Sequence, residues 1–543
     1  MGATNADSDA EFSRLPDRRV GAVQLRRPAR AATRDHRAIL SRTSMQRRDP
    51  RYTVLDNGLR AASLWLPTST VTIVLWILAG SRADPDGRAG LAHLVEHVVL
   101  QRRDNRRRVS LAQAVEDFGG AVKATTDKEH TRIELRVAAD NWGPALAHLL
   151  RVLEPFTEPI ELGPAQAAIR NELATGLNTS IAAILEWGLW PSHPLGLPPW
   201  GSLEGVHAST SADAAAFHTL HYRSDRCLVT VAGPIAHSDF LRALVRESPA
   251  RGGARGEHPQ GDSSANPPRP EGPRILWLGG SGPLASIGWA LAGAGHADPL
   301  ATDLMALNLI LTVGSRARLV AALRDGLGVT YRVQGQFNEY CDASAVVIWT
   351  RVGMQDAESA TARLLATVTW LLEQGVTEAE ARRARRAYQL HTMAGFESSH
   401  SAAISLGNSL LRRGRILPLH EAIGEAQAIS CRRFFRALAS FRDLSRWALV
   451  VDARQSEWPC LAFLAARADN SSFPRQTVGV KGNVEPADAA QGGGTECRRA
   501  EAAYNDSTLP HQGNGTAPGA HRPSPMADSP GLVQGSQNHE AGC

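Results

Sequence analysis

Five consecutive residues, His93-Leu94-Val95-Glu96-His97, constrain this chain more tightly than any other stretch of it. They sit in the apolar run from Leu91 to Leu100 and read as helix, where residues three and four apart share a face. His93, Glu96 and His97 then project together, while Leu94, Val95 and Val98 face elsewhere. Imidazole is a preferred zinc ligand, and two ligands from one helical turn plus a third from elsewhere leave a coordination position open for water. Zinc lowers the pKa of such a water to roughly 7, and a neighbouring carboxylate that is not a ligand can take its proton and pass it to a leaving amine. The motif points to metal-assisted hydrolysis with Glu96 as the general base. It leaves the third ligand unnamed.

The 543 residues exceed a single core and imply two to four domains, with 43% apolar residues to fill them. A net charge of +5 invites a nucleic-acid reading, but Lys123, Lys128 and Lys481 are the only lysines and every other basic residue is arginine. With alanine and glycine also abundant, this is compositional bias rather than a phosphate-binding surface, and no nucleic-acid partner is expected. The six cysteines, Cys227, Cys341, Cys431, Cys460, Cys497 and Cys543, show no C-x-x-C spacing, which fits a reducing compartment and a cytoplasmic location. No run of ~18 apolar residues occurs, so no membrane span is expected.

Composition also sets the boundaries. Residues 1–49 are Arg-rich without an apolar run and read as a disordered extension. Asp7, Asp9, Glu11 and Asp17 argue against a transit peptide, and Met45 offers an alternative start. Residues 249–273, dense in Gly, Pro, Ser and charge, read as a linker, and 469–543 as a disordered tail. That leaves two folded halves, 50–248 and 274–468.

In the first half, Asn57-Gly58 between Tyr52–Leu55 and Leu59–Leu66 predicts a hairpin, because both turn residues must accept positive φ. Val71–Leu78 reads as a buried strand, and the helix carrying His93 follows. Ser110 caps a second helix that Gly119-Gly120 stops. His130–Val137 alternates as a strand, and helices are expected near Asn141–Leu153 and Pro164–Gly176. The second half repeats this plan. Leu291-Ala292-Gly293 echoes Leu78-Ala79-Gly80, and a helix near Pro299–Val313 follows, without a histidine.

These residues, taken in order, resemble the pitrilysin/insulinase family of inverted-motif zinc peptidases, especially its mitochondrial-processing-peptidase-like branch. The resemblance covers about residues 50–460 and rests on Leu78-Ala79-Gly80-Ser81-Arg82, Gly90-Leu91-Ala92-His93, Gly119-Gly120, Ala124-Thr125-Thr126 with Thr131, Phe217-His218, Tyr222-Arg223 and Val229–Gly233. It implies an α+β fold of two homologous halves, each a sheet with helix layers, enclosing a chamber. It also supplies the missing ligand. The family places a zinc glutamate roughly 75 residues after its motif, and Ile169-Arg170-Asn171-Glu172-Leu173 puts Glu172 75 positions after His97. In the second half, Ser315–Leu319, Leu323-Arg324-Asp325 and Gly328-Val329-Thr330-Tyr331 are similar to the family's substrate-binding signature. Arg324 and Tyr331 are therefore expected to hold the substrate.

Three departures stand out. A second glutamate of the family, seven residues before the zinc glutamate, is Ala165 here. Lys123 stands where an Asn is common, and Gln101–Arg108 replaces a Gly-Thr with an arginine cluster that reads first as a solvated loop, the sharper alternative being a chamber entrance selecting acidic peptides. His218 with His221 reads as structural, and Trp187, Trp190 and Trp200 as cover for the edge of the first half. The resulting expectation is a zinc endopeptidase with one Zn²⁺ bound by His93, His97 and Glu172, acting on peptides or unfolded precursor segments. It is expected to work as a homodimer, or as a heterodimer with a related chain. The alternative is a weakly active or inactive member serving as a subunit or peptide-binding partner.

Overall fold

Asn57-Gly58 closes the first hairpin: Gly58 adopts φ 81°, its N–H donates to the Leu55 carbonyl, and Arg51–Val54 (β1) pairs antiparallel with Arg60–Trp65 (β2). The computed structural model describes residues 49–102, 109–174, 180–248, 267–279, 282–296, 298–452, 458, 460–461 and 475–477. With Thr70–Ile77 (β3), Ala121–Thr126 (β4), Thr131–Ala138 (β5) and Cys227–Gly233 (β6), the hairpin builds a six-stranded sheet in the order β1-β2-β6-β3-β5-β4. A second sheet combines Arg274–Trp277 (β7), Leu284–Ala294 (β8), Val333–Glu339 (β9), Ala343–Gly353 (β10), Trp447–Asp452 (β11) and Arg475–Thr477 (β12), in the order β12-β7-β11-β8-β10-β9.

The two sheets follow one plan. In each, a late strand inserts at the centre, parallel to one neighbour and antiparallel to the other: β6 between β2 and β3, and β11 between β7 and β8. Central strands must therefore be apolar on both faces, and β6 is buried along its whole length. The outermost strand breaks the symmetry, since β1 is antiparallel to its neighbour and β12 parallel. Arg475–Thr477 lies within 469–543, the segment expected to be disordered. The open edge of β7 offers unpaired backbone groups, and three residues take them up.

Each half carries its own helices on one sheet face. Against the first sheet lie Leu91–Gln101 (α1), Trp142–Leu150 and Gly163–Ala174 (α2), sharing a core with Ile73, Leu75, Ile133 and Val229. The opposite faces are covered by exchange. Ile181–Leu189 (α3), capped by Ser180, leaves the first sheet and packs on the second, where Leu185, Trp187, Leu189 and Trp190 join Leu276, Ala345, Ala448 and Val450. The expectation that Trp187 and Trp190 cover the first half is corrected accordingly. Helix Leu300–Thr312 (α4) packs on the second sheet's own-helix face, and Ser399–Arg413 (α5) returns to the first sheet. There Ala402, Ala403, Leu406 and Leu410 meet Ala62, Leu64, Val74 and Trp76.

The halves also meet at two hairpin tips. The turn between β4 and β5 brings Glu129 against the β9–β10 turn, where Glu129 accepts hydrogen bonds from the N–H and Sγ of Cys341. Arg82 completes the seam, donating to both oxygens of Asp342 at 2.7 and 2.6 Å and to Glu129 at 2.9 Å. Glu129, Cys341 and Asp342 are close enough to hold a cation. The guanidinium already fills that role.

Candidate metal centre

The metal helix begins at a fixed corner. Gly90 takes φ 101°, a left-handed conformation that disfavours any side chain, and a Cβ there would lie 2.8 Å from Val206 and 2.9 Å from the Trp200 carbonyl. Asp84 supplies the cap, its two carboxylate oxygens accepting from the N–H groups of Gly90 at 2.6 Å and Ala92 at 2.7 Å. Burial raises the Asp84 carboxyl to about 7 against these bonds. Leu91, Ala92, Leu94, Val95, Val98 and Val99 turn into the core, so the opposite stripe, His93 and His97, faces outward as the motif predicts.

Glu172 on α2 meets both rings. The His93 and His97 Nε2 atoms lie 3.1 Å apart, with Glu172 oxygens 3.7 Å from the first and 3.4 Å from the second. A tetrahedral ion bonded at about 2.0–2.1 Å sets neighbouring ligand atoms roughly 3.3 Å apart, and the three separations bracket that value. Two nitrogens and one carboxylate oxygen are a donor set that suits zinc. Burial lowers the pKa of both imidazoles, His93 to about 4, so both are neutral and able to ligate near pH 7. The residues present therefore fit the ion.

Glu96, one turn along, is buried and is not among these three donors. Burial pushes its carboxyl to about 7, the nearby Glu172 charge adds to the rise, and a hydrogen bond from Thr126 opposes it. That bond, from Thr126 Oγ1 to Glu96 Oε2, is 2.5 Å long. Thr131 stands behind Thr126 at 3.5 Å and donates to the Ala79 carbonyl. Thr126 and Asp84 brace the site, and the motif does not reveal them. The first is one of two adjacent threonines whose facing depends on strand register, and the second caps from a loop.

Other expectations settle differently. Arg324 lies on a π-helical turn, exposed, with its guanidinium on Asp325, and Tyr331 is 92% exposed nearby. The structure does not bring either against the histidines or Glu172. Ala165 packs into the core on α2, so that position presents no carboxylate to the site. Of the arginine cluster, Arg102 caps the carbonyls of Glu154 and Pro155, while residues 103–108 lie outside the described residues. His218 is buried, hydrogen-bonded to the Val152 carbonyl and stacked on Tyr222, as a structural residue is. Trp200 belongs to this site after all, its main chain lying against Gly90 and His93.

Residues 60–170 match the family model described as insulinase (peptidase family M16), and residues 209–388 match that of the peptidase M16 inactive domain. An uncharacterised zinc protease of Mycobacterium tuberculosis is 26% identical over 70% of this chain and 88% of its own length. The beta subunit of the human mitochondrial-processing peptidase is 25% identical over 70% of this chain and 80% of its own. Subunit 1 of the bovine cytochrome b-c1 complex is 24% identical over 68% and 78%. Among solved structures, a protease from Helicobacter pylori superposes with a TM-score of 0.65 at 17% identity, covering 74% of this chain and 99% of that one, which is a likeness of fold.

Proposed function

The chain belongs to the insulinase (M16) peptidase family, and from that premise we propose that it is a zinc-dependent endopeptidase acting on peptides or unfolded precursor segments. The observation that carries the reading is the convergence of His93, His97 and Glu172 beside a separate, buried carboxylate with a pKa near neutrality. His93, His97 and Glu172 would hold the ion, which when bound supplies Lewis acidity at the substrate carbonyl and a more acidic water. Glu96 takes the proton of the attacking water and delivers it to the leaving amine, and a pKa near the working pH serves both directions. Thr126 fixes the carboxylate that does so.

Strand β4 supports the mode of substrate binding. It is the edge strand of the first sheet and ends at Thr126, so an extended peptide paired along it passes Glu96. Arg324 and Tyr331, exposed on the second half, are proposed to close on the substrate when it binds. We further propose a cytoplasmic homodimer. The free thiols of Cys227, Cys341, Cys431 and Cys460 are compatible with a reducing compartment. Among the described residues no helix is long and apolar enough to cross a membrane.

A metal assay joined to peptide cleavage tests the reading. The wild type should hold one zinc per chain and cleave unstructured peptides. Glu96→Gln should keep the zinc and lose about 10²–10⁴-fold in kcat. Stoichiometric zinc with no cleavage by the wild type would move the protein to the alternative, a non-catalytic subunit or binder.

A further inference from the structure

A cavity of about 260 Å³ opens between the halves immediately beyond the metal centre. Its walls start at Asp127 and Lys128, the residues that follow Thr126, and at Pro199-Trp200, whose main chain abuts His93. The far side is Gln336 to Glu339 of the edge strand β9, and the floor is α3. A space of this size, open to solvent, admits one large side chain.

Two of its three acidic groups are ion-paired within the wall, and the third, Asp127, is screened by nearby positive charge. Lys128 Nζ, its side chain 3% exposed, pairs with Glu186 Oε2 at 2.7 Å and donates to the Leu195 carbonyl at 2.5 Å. The other Glu186 oxygen accepts from Tyr340 Oη at 2.6 Å and Asn338 Nδ2 at 2.8 Å. Arg412 pairs with Glu339 at 2.5 Å. Asp127 accepts the Lys128 N–H at 2.7 Å and is surrounded by the positive charges of Arg132 and Lys128, with His130 beside it. An anionic guest, or a cationic one seated at Glu186 or Glu339, would have to break one of these pairs, and separating a pair shielded from water leaves an uncompensated charge. What remains open is neutral. Gln336, exposed on β9 at the cavity's rim, has no hydrogen-bond partner among the described residues, and Asn338 has a carbonyl oxygen to spare. An amide offers a donor and an acceptor together, so another amide satisfies it best.

We infer that this cavity is a specificity subsite for an uncharged amide side chain, glutamine or asparagine, on the part of the substrate that has passed the metal centre. The inference rests on the peptidase reading for its role. Its test does not need turnover. Labelled peptides of alanine and serine with one central residue, Gln, Lys or Glu, are titrated against zinc-loaded Glu96→Gln protein by fluorescence anisotropy, and cleavage by the wild type is measured alongside. The uniform background lets each peptide slide until the variable residue finds the cavity. The Gln peptide should bind at least about tenfold tighter than the Lys or Glu peptide. Adding Arg412→Gln frees Glu339 and should favour the Lys peptide, and adding Glu339→Gln frees Arg412 and should favour the Glu peptide. Equal binding of the three peptides, no binding of any, or substitutions that move all three alike would overturn the subsite. Selective binding without wild-type cleavage would keep the subsite and remove the peptidase.

Discussion

At the residue scale, Glu96 must be ionised to accept a proton and protonated to release one, and its surroundings hold it between those states. Burial and Glu172 lift its pKa, and Thr126 pulls it down by donating to the charged form. Glu96 is therefore the base only above a pKa near 7, and the acidic limb of the rate profile follows its titration. Thr126→Val keeps the shape and removes the donor, so the pKa rises and that limb moves to higher pH. A hydrogen bond to a charged group is worth about 1.5–3 kcal/mol, or roughly one to two pH units. A kcat–pH profile of the variant with an unmoved acidic limb would show that the hydroxyl does not tune the base. The sequence makes His93, Glu96 and His97 legible because helical spacing alone puts them on one side. Thr126 is not legible, because Thr125 and Thr126 point to opposite faces and only the pairing of β4 with β5 decides which meets the helix.

At the scale of elements, the repeat of the two sheets can be read from matching apolar runs and turn residues, but the exchange of α3 and α5 between them cannot. The α3 sequence, Ile-Ala-Ala-Ile-Leu-Glu-Trp-Gly-Leu, is apolar nearly all round, which says that the helix is buried and not against which sheet. Close fit decides. Gly407 of α5 lies so near the first sheet that a Cβ there would come within 2.2 Å of the Trp76 ring. That ring cannot retreat, being fully buried with its Nε1 donating to Thr230 at 3.0 Å. Gly407→Ala gains helix propensity yet overpacks the seam, and it should destabilise the protein by about 1–3 kcal/mol. Thermal unfolding reads this directly; a higher midpoint than wild type would mean that α5 shifts freely on its sheet. Trp76→Phe in the same background should recover part of the loss by making room.

At the scale of the whole molecule, the metal centre, the open edge of β4, the cavity and the open edge of β9 all lie along the junction of the halves. Any function of the site therefore depends on how firmly the hairpin tips hold that junction together. The clamp is Arg82, whose side chain is 9% exposed and whose partners Asp342 and Glu129 are 13% and 25% exposed. An ion pair so shielded responds little to salt, and removing one member leaves its partner charged and poorly hydrated. Arg82→Met should cost about 3–5 kcal/mol by that mechanism. Because both abandoned carboxylates sit at the seam, the loss should be local before it is global, with amide hydrogen exchange accelerating first at Cys341, whose N–H donates to Glu129 across it. Adding Asp342→Asn to Arg82→Met removes one stranded charge and should return part of the stability, while Asp342→Asn alone should cost less than Arg82→Met. Uniformly faster exchange across both sheets, with no early change at the tips, would mean that the clamp stabilises the fold without holding the halves closed.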